Sequence, residues 1–425
     1  MVGTKGRAFF KGEEFSFDLP QGWNLLAMAE PKDVPGLADV GAAVRELLAH
    51  PIGMAPLADL IQDLPHKRTV IISEDQTRPT PVYQVLMPLL AELNRLGIAD
   101  EEIDLIIGRG THRHATDEEV RAKVGPEAVD RLRVSVHDAE ADDVVYVGTT
   151  SLGTKVHVNR LVAEAALIIG IGTANPHYFA GYGGGPKLIL PGVCARETIK
   201  QNHVRMRGPK ANAGVMDGNP VWEDMLEAAR LARLTFKFDA VLNTRKQIYK
   251  LFGGEVEAQQ KAAVEALKEV YGVAVPAMAD VTVTSGYPLE TNLIQSGKAI
   301  LLADTVTKPG GSIVLVSACS DGPGPLMYET LSQRPGAEEV IDWIAQGKAN
   351  TTGGPMASRL RALVASKRLI VVTEGLSQQQ LADMEFSYAP SVDEAIAELA
   401  AGNGRMNAIV LPVGGSTFPY LASAG

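Results

Sequence analysis

Residues 175–205 read NPHYFAGYGGGPKLILPGVCARETIKQNHVR and set His177, Lys187 and His203 around a run of glycines. Two imidazoles, which exchange protons near neutrality, and an amine placed this closely look like a reactive centre. Gly183, Gly184 and Gly185 lack a Cβ, so their backbone N–H groups can approach an anion or a flat ring while Lys187 projects from the same loop. The same letters fit a tight turn before a strand at 188–192 (LILPG), with Lys187 in solvent. His203 reads as a metal ligand or as a surface residue on a helix that begins near Arg196. One histidine cannot hold a protein-only metal site. Any metal at His203 must then take most of its coordination from a cofactor.

Two further groups follow short apolar runs. Residues 73–79 (SEDQTRP) close the run 68–73 (RTVIIS). Arg78 there can clamp a carboxylate with two parallel hydrogen bonds, while Asp75 orients it or a catalytic imidazole. Asp75 or Thr77 also reads as a helix cap, which leaves Arg78 unexplained. GTHRH at 110–114 follows IDLIIG at 103–108, and position favours His112 over His114 for acid–base work. His177 follows ALIIGIG at 166–172, so three strand ends converge on one rim. The acidic stretch 137–143 (HDAEADD) reads as a solvated loop rather than a metal site. Further on, Gln295 and Lys298 are three apart, share a helix face and can reach a substrate carboxylate, although solvation is the usual fate of such a pair.

These groups need a frame that gathers strand ends. The apolar runs 68–73, 103–108, 134–137 and 166–172 read as buried parallel strands, and 82–97 between the first two has helical spacing with Gly97 as its stop. A long helical pattern at 255–271 precedes a second alternation: strands at 281–285, 312–317, 368–373 and 408–412, helices at 292–304, 338–346 and 392–401. The expected fold is α/β: two domains with mostly parallel, doubly wound, Rossmann-like sheets and an active-site cleft between them, divided into residues 1–274 and 275–425. The last fifteen or so residues could return to the first domain.

Composition narrows the function classes. The chain has 425 residues, too many for one ordinary core. Its net charge of −10 without any Lys/Arg block argues against nucleic acid. No stretch reaches the roughly 18 uninterrupted apolar residues of a membrane span, and a cytoplasmic enzyme is the simplest expectation. Cys194 and Cys319 are the only cysteines, too few for a disulfide framework or a CxxC metal site. No G-x-G-x-x-G follows a strand, and GGGPK lacks the Gly-Lys-Ser/Thr ending of a P-loop.

Taken together, DxTRP from Asp75, GTHR from Gly110, PHYFAGYGGGPKLILPG from Pro176, NH at Asn202, GNP from Gly218 and NLIQSGK from Asn292 resemble, in order and spacing, the nickel-pincer lactate racemase family of 2-hydroxyacid racemases and epimerases. The resemblance implies a pyridinium-3-thioamide-5-thiocarboxylic acid mononucleotide that holds nickel through two sulfurs and a ring carbon. Lys187 matches its tether, His203 the imidazole that completes the nickel coordination, and Gly183, Gly184 and Gly185 the surface it lies against. Such a donor set suits Ni(II) in a planar geometry. His112 and His177 match the paired acid–base histidines, one for each face of the stereocentre. Arg78, Gln295 and Lys298 match residues that hold the substrate, and Asp75 one that orients a neighbour. The implied reaction moves the C2 hydrogen as a hydride, which avoids building negative charge beside an ionised carboxylate, and passes through a planar 2-keto acid. The implied partners are a small 2-hydroxyacid and the proteins that make the cofactor.

Ile294 stands where lactate-specific members tend to carry an aromatic residue. A longer or more polar 2-hydroxyacid, including a sugar acid epimerised at C2, is therefore open as substrate. Two other classes compete. A nicotinamide-dependent 2-hydroxyacid dehydrogenase using His177 and Arg78 shares the hydride chemistry but lacks its phosphate-binding fingerprint. A non-enzymatic hydroxyacid-binding protein keeps Arg78 and Lys298 but gives His112 and His177 no joint role.

Overall fold

Thr69–Glu74, Ile103–Gly108 and Leu167–Thr173 are buried at nearly every position, the pattern of parallel strands covered on both faces. In the computed structural model, which describes residues 4–402 and 404–422, they form the middle of a six-stranded sheet. Its order is Ile248–Gly254, Phe236–Leu242, Leu167–Thr173, Thr69–Glu74, Ile103–Gly108 and Arg133–Val136. Every neighbouring pair is parallel except the antiparallel edge formed by Ile248–Gly254. The helix Val82–Arg95 covers this sheet with Val82, Val85, Leu86, Leu89, Leu90 and Leu93, all buried at helical spacing. Each such side chain contributes roughly 1.5–3 kcal/mol.

The chain divides into two compact units. One is Asp33–Val270; the other joins Met1–Lys32 to Tyr271–Gly425. The second unit has its own six-stranded, fully parallel sheet, ordered Ser387–Tyr388, Arg368–Val372, Thr307–Val316, Ala279–Ser285, Asn407–Leu411 and Asn24–Met28. Two α/β units built on mostly parallel sheets agree with the fold class expected from sequence. Among the described residues no helix is long and apolar enough to cross a membrane.

Two expectations need correction. The first 32 residues do not belong with the unit that follows them. Asn24–Met28 pairs with Asn407–Leu411, and Ala8, Phe17, Leu19 and Trp23 are buried in one cluster with Val281, Val314 and Ile370. Burial of these four apolar groups outweighs proximity in sequence. The stretch 188–192, expected as a strand, is instead the end of a 3-10 turn over Gly185–Leu188 and the loop after it. The tail pairs Phe418–Leu421 with Gly272–Val275 inside the second unit; its last three residues lie outside the described ones.

Candidate active site

The order of the first sheet sets where a ligand can collect. From Thr69–Glu74 the chain winds outward through Ile103–Gly108 and Arg133–Val136, then returns to Leu167–Thr173 on the other side and winds away. The carboxyl ends of Thr69–Glu74 and Leu167–Thr173 flank this reversal, where open α/β sheets hold their ligands.

Asp75 leaves the first of those strands almost fully buried. Its Oδ1 accepts from the Thr77 N–H at 3.1 Å and the Thr77 hydroxyl at 2.5 Å, and its Oδ2 accepts from His112 Nδ1 at 2.6 Å. Burial alone would raise its pKa. The hydrogen bond and charge of His112, the Thr77 hydroxyl and the charge of Arg78 outweigh burial and hold it at about 2. The helix cap considered from sequence is not its role: Val82–Arg95 starts after Pro81 without a side-chain cap. Arg78 donates to the Thr77 hydroxyl at 2.9 Å, and its carbonyl accepts from Lys123 Nζ at 2.8 Å. Lys123 also pairs with buried Glu74 at 3.2 Å, so the Asp75–Arg78 turn is anchored from below.

His112 follows Gly110, whose φ of 54° lies in the left-handed region that glycine reaches most easily. The Arg109 guanidinium donates to the His112 carbonyl, to the His137 carbonyl at 2.7 Å and to Asp138 at 2.9 Å, fastening this loop to the next. The 137–143 stretch is indeed a loop, and three of its acids pair with Arg109, Arg196 and Arg160. His137 itself is buried and meets the Cys194 carbonyl at 3.0 Å.

On the other side of the reversal, His177 Nδ1 accepts from the Ala180 N–H at 3.2 Å. Phe179, 2% exposed, joins the groups of this segment. Its ring centroid lies 4.6 Å from that of His177, 5.1 Å from that of His203 and 5.8 Å from Lys187 Nζ. Sequence reading passed over Phe179 because an aromatic residue in a loop carries no spacing signal. His203 is the last residue of the helix Arg196–His203, and its Nδ1 is buried without a hydrogen bond of normal geometry. Burial first, then the charges of Lys187 and His112, push its pKa down to about 3 against a small opposing effect of the Ile199 carbonyl. His203 is therefore a neutral imidazole at neutral pH, the state in which a ring nitrogen can ligate a metal.

Asp75, Arg78, His112, Gly183, Gly184 and Lys187 line one small, open cavity of about 60 Å³. Gly185 does not line it; its N–H is turned to Asp239 at 2.8 Å. His177 and His203 lie outside the lining and connect to Lys187 through Phe179. Among the described residues no three His, Cys, Asp or Glu side chains gather as a metal-binding group. In the second unit, Asn292 caps the helix Leu293–Asp304, and Lys298 donates to Gln295 Oε1 at 2.6 Å. The pair shares a face, as its spacing predicts. Ile294 is buried and fills the space over Gly324 and Gly353.

Known proteins resemble this chain over most of its length. Family models described as the lactate racemase N-terminal domain and the lactate racemase C-terminal domain match residues 10–214 and 274–417. The lactate racemase of Thermoanaerobacterium thermosaccharolyticum is 32% identical over 376 residues, covering 86% of this chain and 88% of that one. That of Lactiplantibacillus plantarum is 31% identical over 379 residues, covering 87% and 89%. The solved structure of the Thermoanaerobacterium thermosaccharolyticum lactate racemase apoprotein superposes with a TM-score of 0.87 at 29% identity, covering 98% of this chain and 100% of that one. A Thermotoga maritima protein at 17% identity shares the fold, with a TM-score of 0.66 and coverage of 92% and 100%. With both halves matched and identity above 30% across most of its length, the chain belongs to the lactate racemase family and is an isomerase.

Proposed function

We propose that the protein inverts the C2 stereocentre of a 2-hydroxyacid, lactate or a larger relative including a sugar acid, with a nickel-pincer nucleotide as its cofactor. The observation that carries this reading is the pairing of buried Asp75 with half-buried His112 in the same cavity as Lys187 and Arg78. The residues fit the cofactor: a buried neutral imidazole at His203 whose Nδ1 makes no hydrogen bond of normal geometry suits a metal whose other ligands come from a small molecule. Lys187 would tether the group and His203 would ligate its nickel, while Gly183 and Gly184 leave room beside it. When bound, the cofactor supplies a reversible hydride acceptor.

The chain's own residues handle protons and position. His112, with its Nδ1–H given to ionised Asp75, takes the hydroxyl proton of one enantiomer at Nε2 and returns it in the reverse direction. His177 serves the other enantiomer. Arg78 holds the carboxylate, which keeps the keto acid in register; the assignment of Gln295 and Lys298 to the same task rests on the motif resemblance alone. Proteins that build the cofactor are required partners.

The test is chiral chromatography of a 2-hydroxyacid panel in heavy water, using protein produced alongside the cofactor-making proteins, with native mass spectrometry of the same sample. Expected are interconversion of enantiomers or C2 epimers with protium retained at C2, an adduct on Lys187 and one nickel. Solvent deuterium at C2, or an unmodified mass without metal in an active sample, would rule the reading out.

A further inference from the structure

The loop that carries Lys187 is gripped by two fully buried side chains that the chemistry above does not use. Asp239, on Phe236–Leu242, accepts from the Gly185 N–H at 2.8 Å and from Gln259 Nε2 at 2.7 Å. It also pairs with Lys237 at 2.6 Å, with both side chains wholly buried. Gln260, on the helix Val256–Tyr271, donates to the Gly183 carbonyl at 3.1 Å, and its Oε1 accepts from Trp222 Nε1 at 2.9 Å. One carbonyl and one amide, both within four residues of Lys187, are thus fixed. The Lys187 N–H donates to the Gly184 carbonyl at 3.1 Å, which passes the constraint to the lysine's own backbone.

The space around the glycines makes the same point independently. A Cβ on Gly184 would meet the Thr173 carbonyl at 2.8 Å and the Asp239 carboxylate, and one on Gly185 would run into the Gln260 amide. Both residues have positive φ, 74° and 49°. Glycine is needed here because the two clamping side chains come this close, not only because a ligand lies on the open side.

We propose that Asp239 and Gln260 are positioning residues for Lys187: by fixing the Gly183–Gly185 backbone they set the direction from which the Lys187 amine enters the cavity. A lysine stem has many rotamers, so its amine is delivered to one place only when its backbone is held. The inference builds on the reading of Lys187 as the functional amine.

Acylation of the unloaded protein by an amine-reactive acetate ester, mapped by peptide mass spectrometry, tests it. The readout is the labelling of Lys187 relative to exposed Lys155, alongside the thermal midpoint. Gln260→Glu keeps the acceptor for Trp222 but sets a second acceptor against the Gly183 carbonyl. Trp222→Phe is milder, freeing the Gln260 amide to turn, and keeps the test open if the first variant does not fold. In Gln260→Glu the Lys187 ratio is expected to rise about five- to tenfold, the population shift that one lost buried hydrogen bond allows. Trp222→Phe should move it the same way by less. A folded variant whose thermal midpoint falls while the ratio is unchanged overturns the proposal and leaves the pair a purely structural role. Since the protein is unloaded, the result is independent of whether Lys187 is the tether, which the adduct mass decides separately.

Discussion

His112 and His177 meet opposite partners at Nδ1. Ionised Asp75 accepts a hydrogen bond from the His112 Nδ1–H, whereas the Ala180 N–H donates to His177 Nδ1. A neutral imidazole carries one N–H, so neutral His112, with that hydrogen directed at Asp75, has its bare nitrogen at Nε2. In the proposed reaction the Asp75 carboxylate would make His112 a ready base. Asp75→Asn should lower kcat about 10- to 100-fold, the usual effect of removing a group that orients a functional imidazole, with the folded structure kept. A chiral assay showing wild-type kcat would sink that role. Stability gives a second check. Asp75 has a folded pKa of about 2 against an ordinary 3.8, so its ionised form is the favoured one in the fold. Its contribution of about 2 kcal/mol is whole above about pH 4 and is lost as pH falls toward 2. Urea unfolding across that window should show the gap between wild type and Asp75→Asn closing as pH falls; a constant gap contradicts the ion pair. Asp75, Arg78 and His112 were legible because each follows a buried strand, and sheet topology brings strand ends together. Arg109 and Phe179 were not, because their roles arise from contacts across loops that spacing does not encode.

At the scale of elements, the apolar runs read as strands and helices fall close to observed elements, since 3.6 and 2 are different periods and burial enforces them, but the strands Phe236–Leu242 and Ile248–Gly254 and the helices Pro220–Leu231 and Gly353–Val364 were not read. Nor was the glycine loop. Leu188, Ile189 and Leu190 look like strand residues, yet Gly185–Leu188 turns as a 3-10 helix, because all three aliphatic side chains are buried without any strand to pair with. Whether a glycine serves conformation or close packing is also invisible in sequence, and a pair of substitutions separates the two. Gly184 and Gly153 both have positive φ, 74° and 87°, but nothing lies within 4 Å of a Cβ on Gly153. Gly153→Ala therefore carries only the left-handed penalty of about 1–2 kcal/mol. Gly184→Ala adds a collision with Asp239 and the Thr173 carbonyl, and should cost a further 1–3 kcal/mol or so, read as a thermal midpoint lower by about 2–4 °C for each kcal/mol. Equal losses in the two variants would show that the Gly184 loop gives way easily, against the clamp.

For the whole molecule, the N-terminal segment shows where local pattern stops informing. The hairpin of Lys5–Phe10 and Glu13–Asp18 is encoded nearby: Lys11 and Gly12, at φ 54° and 81°, make the tight turn that suits twisted strands. Nothing local says that it docks on a sheet formed more than 250 residues later. That choice is made by surface area, because Phe17, Leu19 and Trp23 are nearly buried against Val281, Val314 and Ile370, and Asn24–Met28 covers what would otherwise be an open sheet edge at Asn407–Leu411. Removing residues 1–32 should therefore damage the unit containing Tyr271–Gly425 even though the deleted stretch holds none of the candidate catalytic groups. Loss of three large apolar side chains at roughly 1.5–3 kcal/mol each amounts to about 5 kcal/mol or more, a large share of a typical unit's stability. Hydrogen exchange should then quicken in Asn407–Leu411 and in the adjacent Ala279–Ser285. Unchanged protection of those two strands in the truncated protein would mean that the N-terminal segment rests on the sheet without stabilising it.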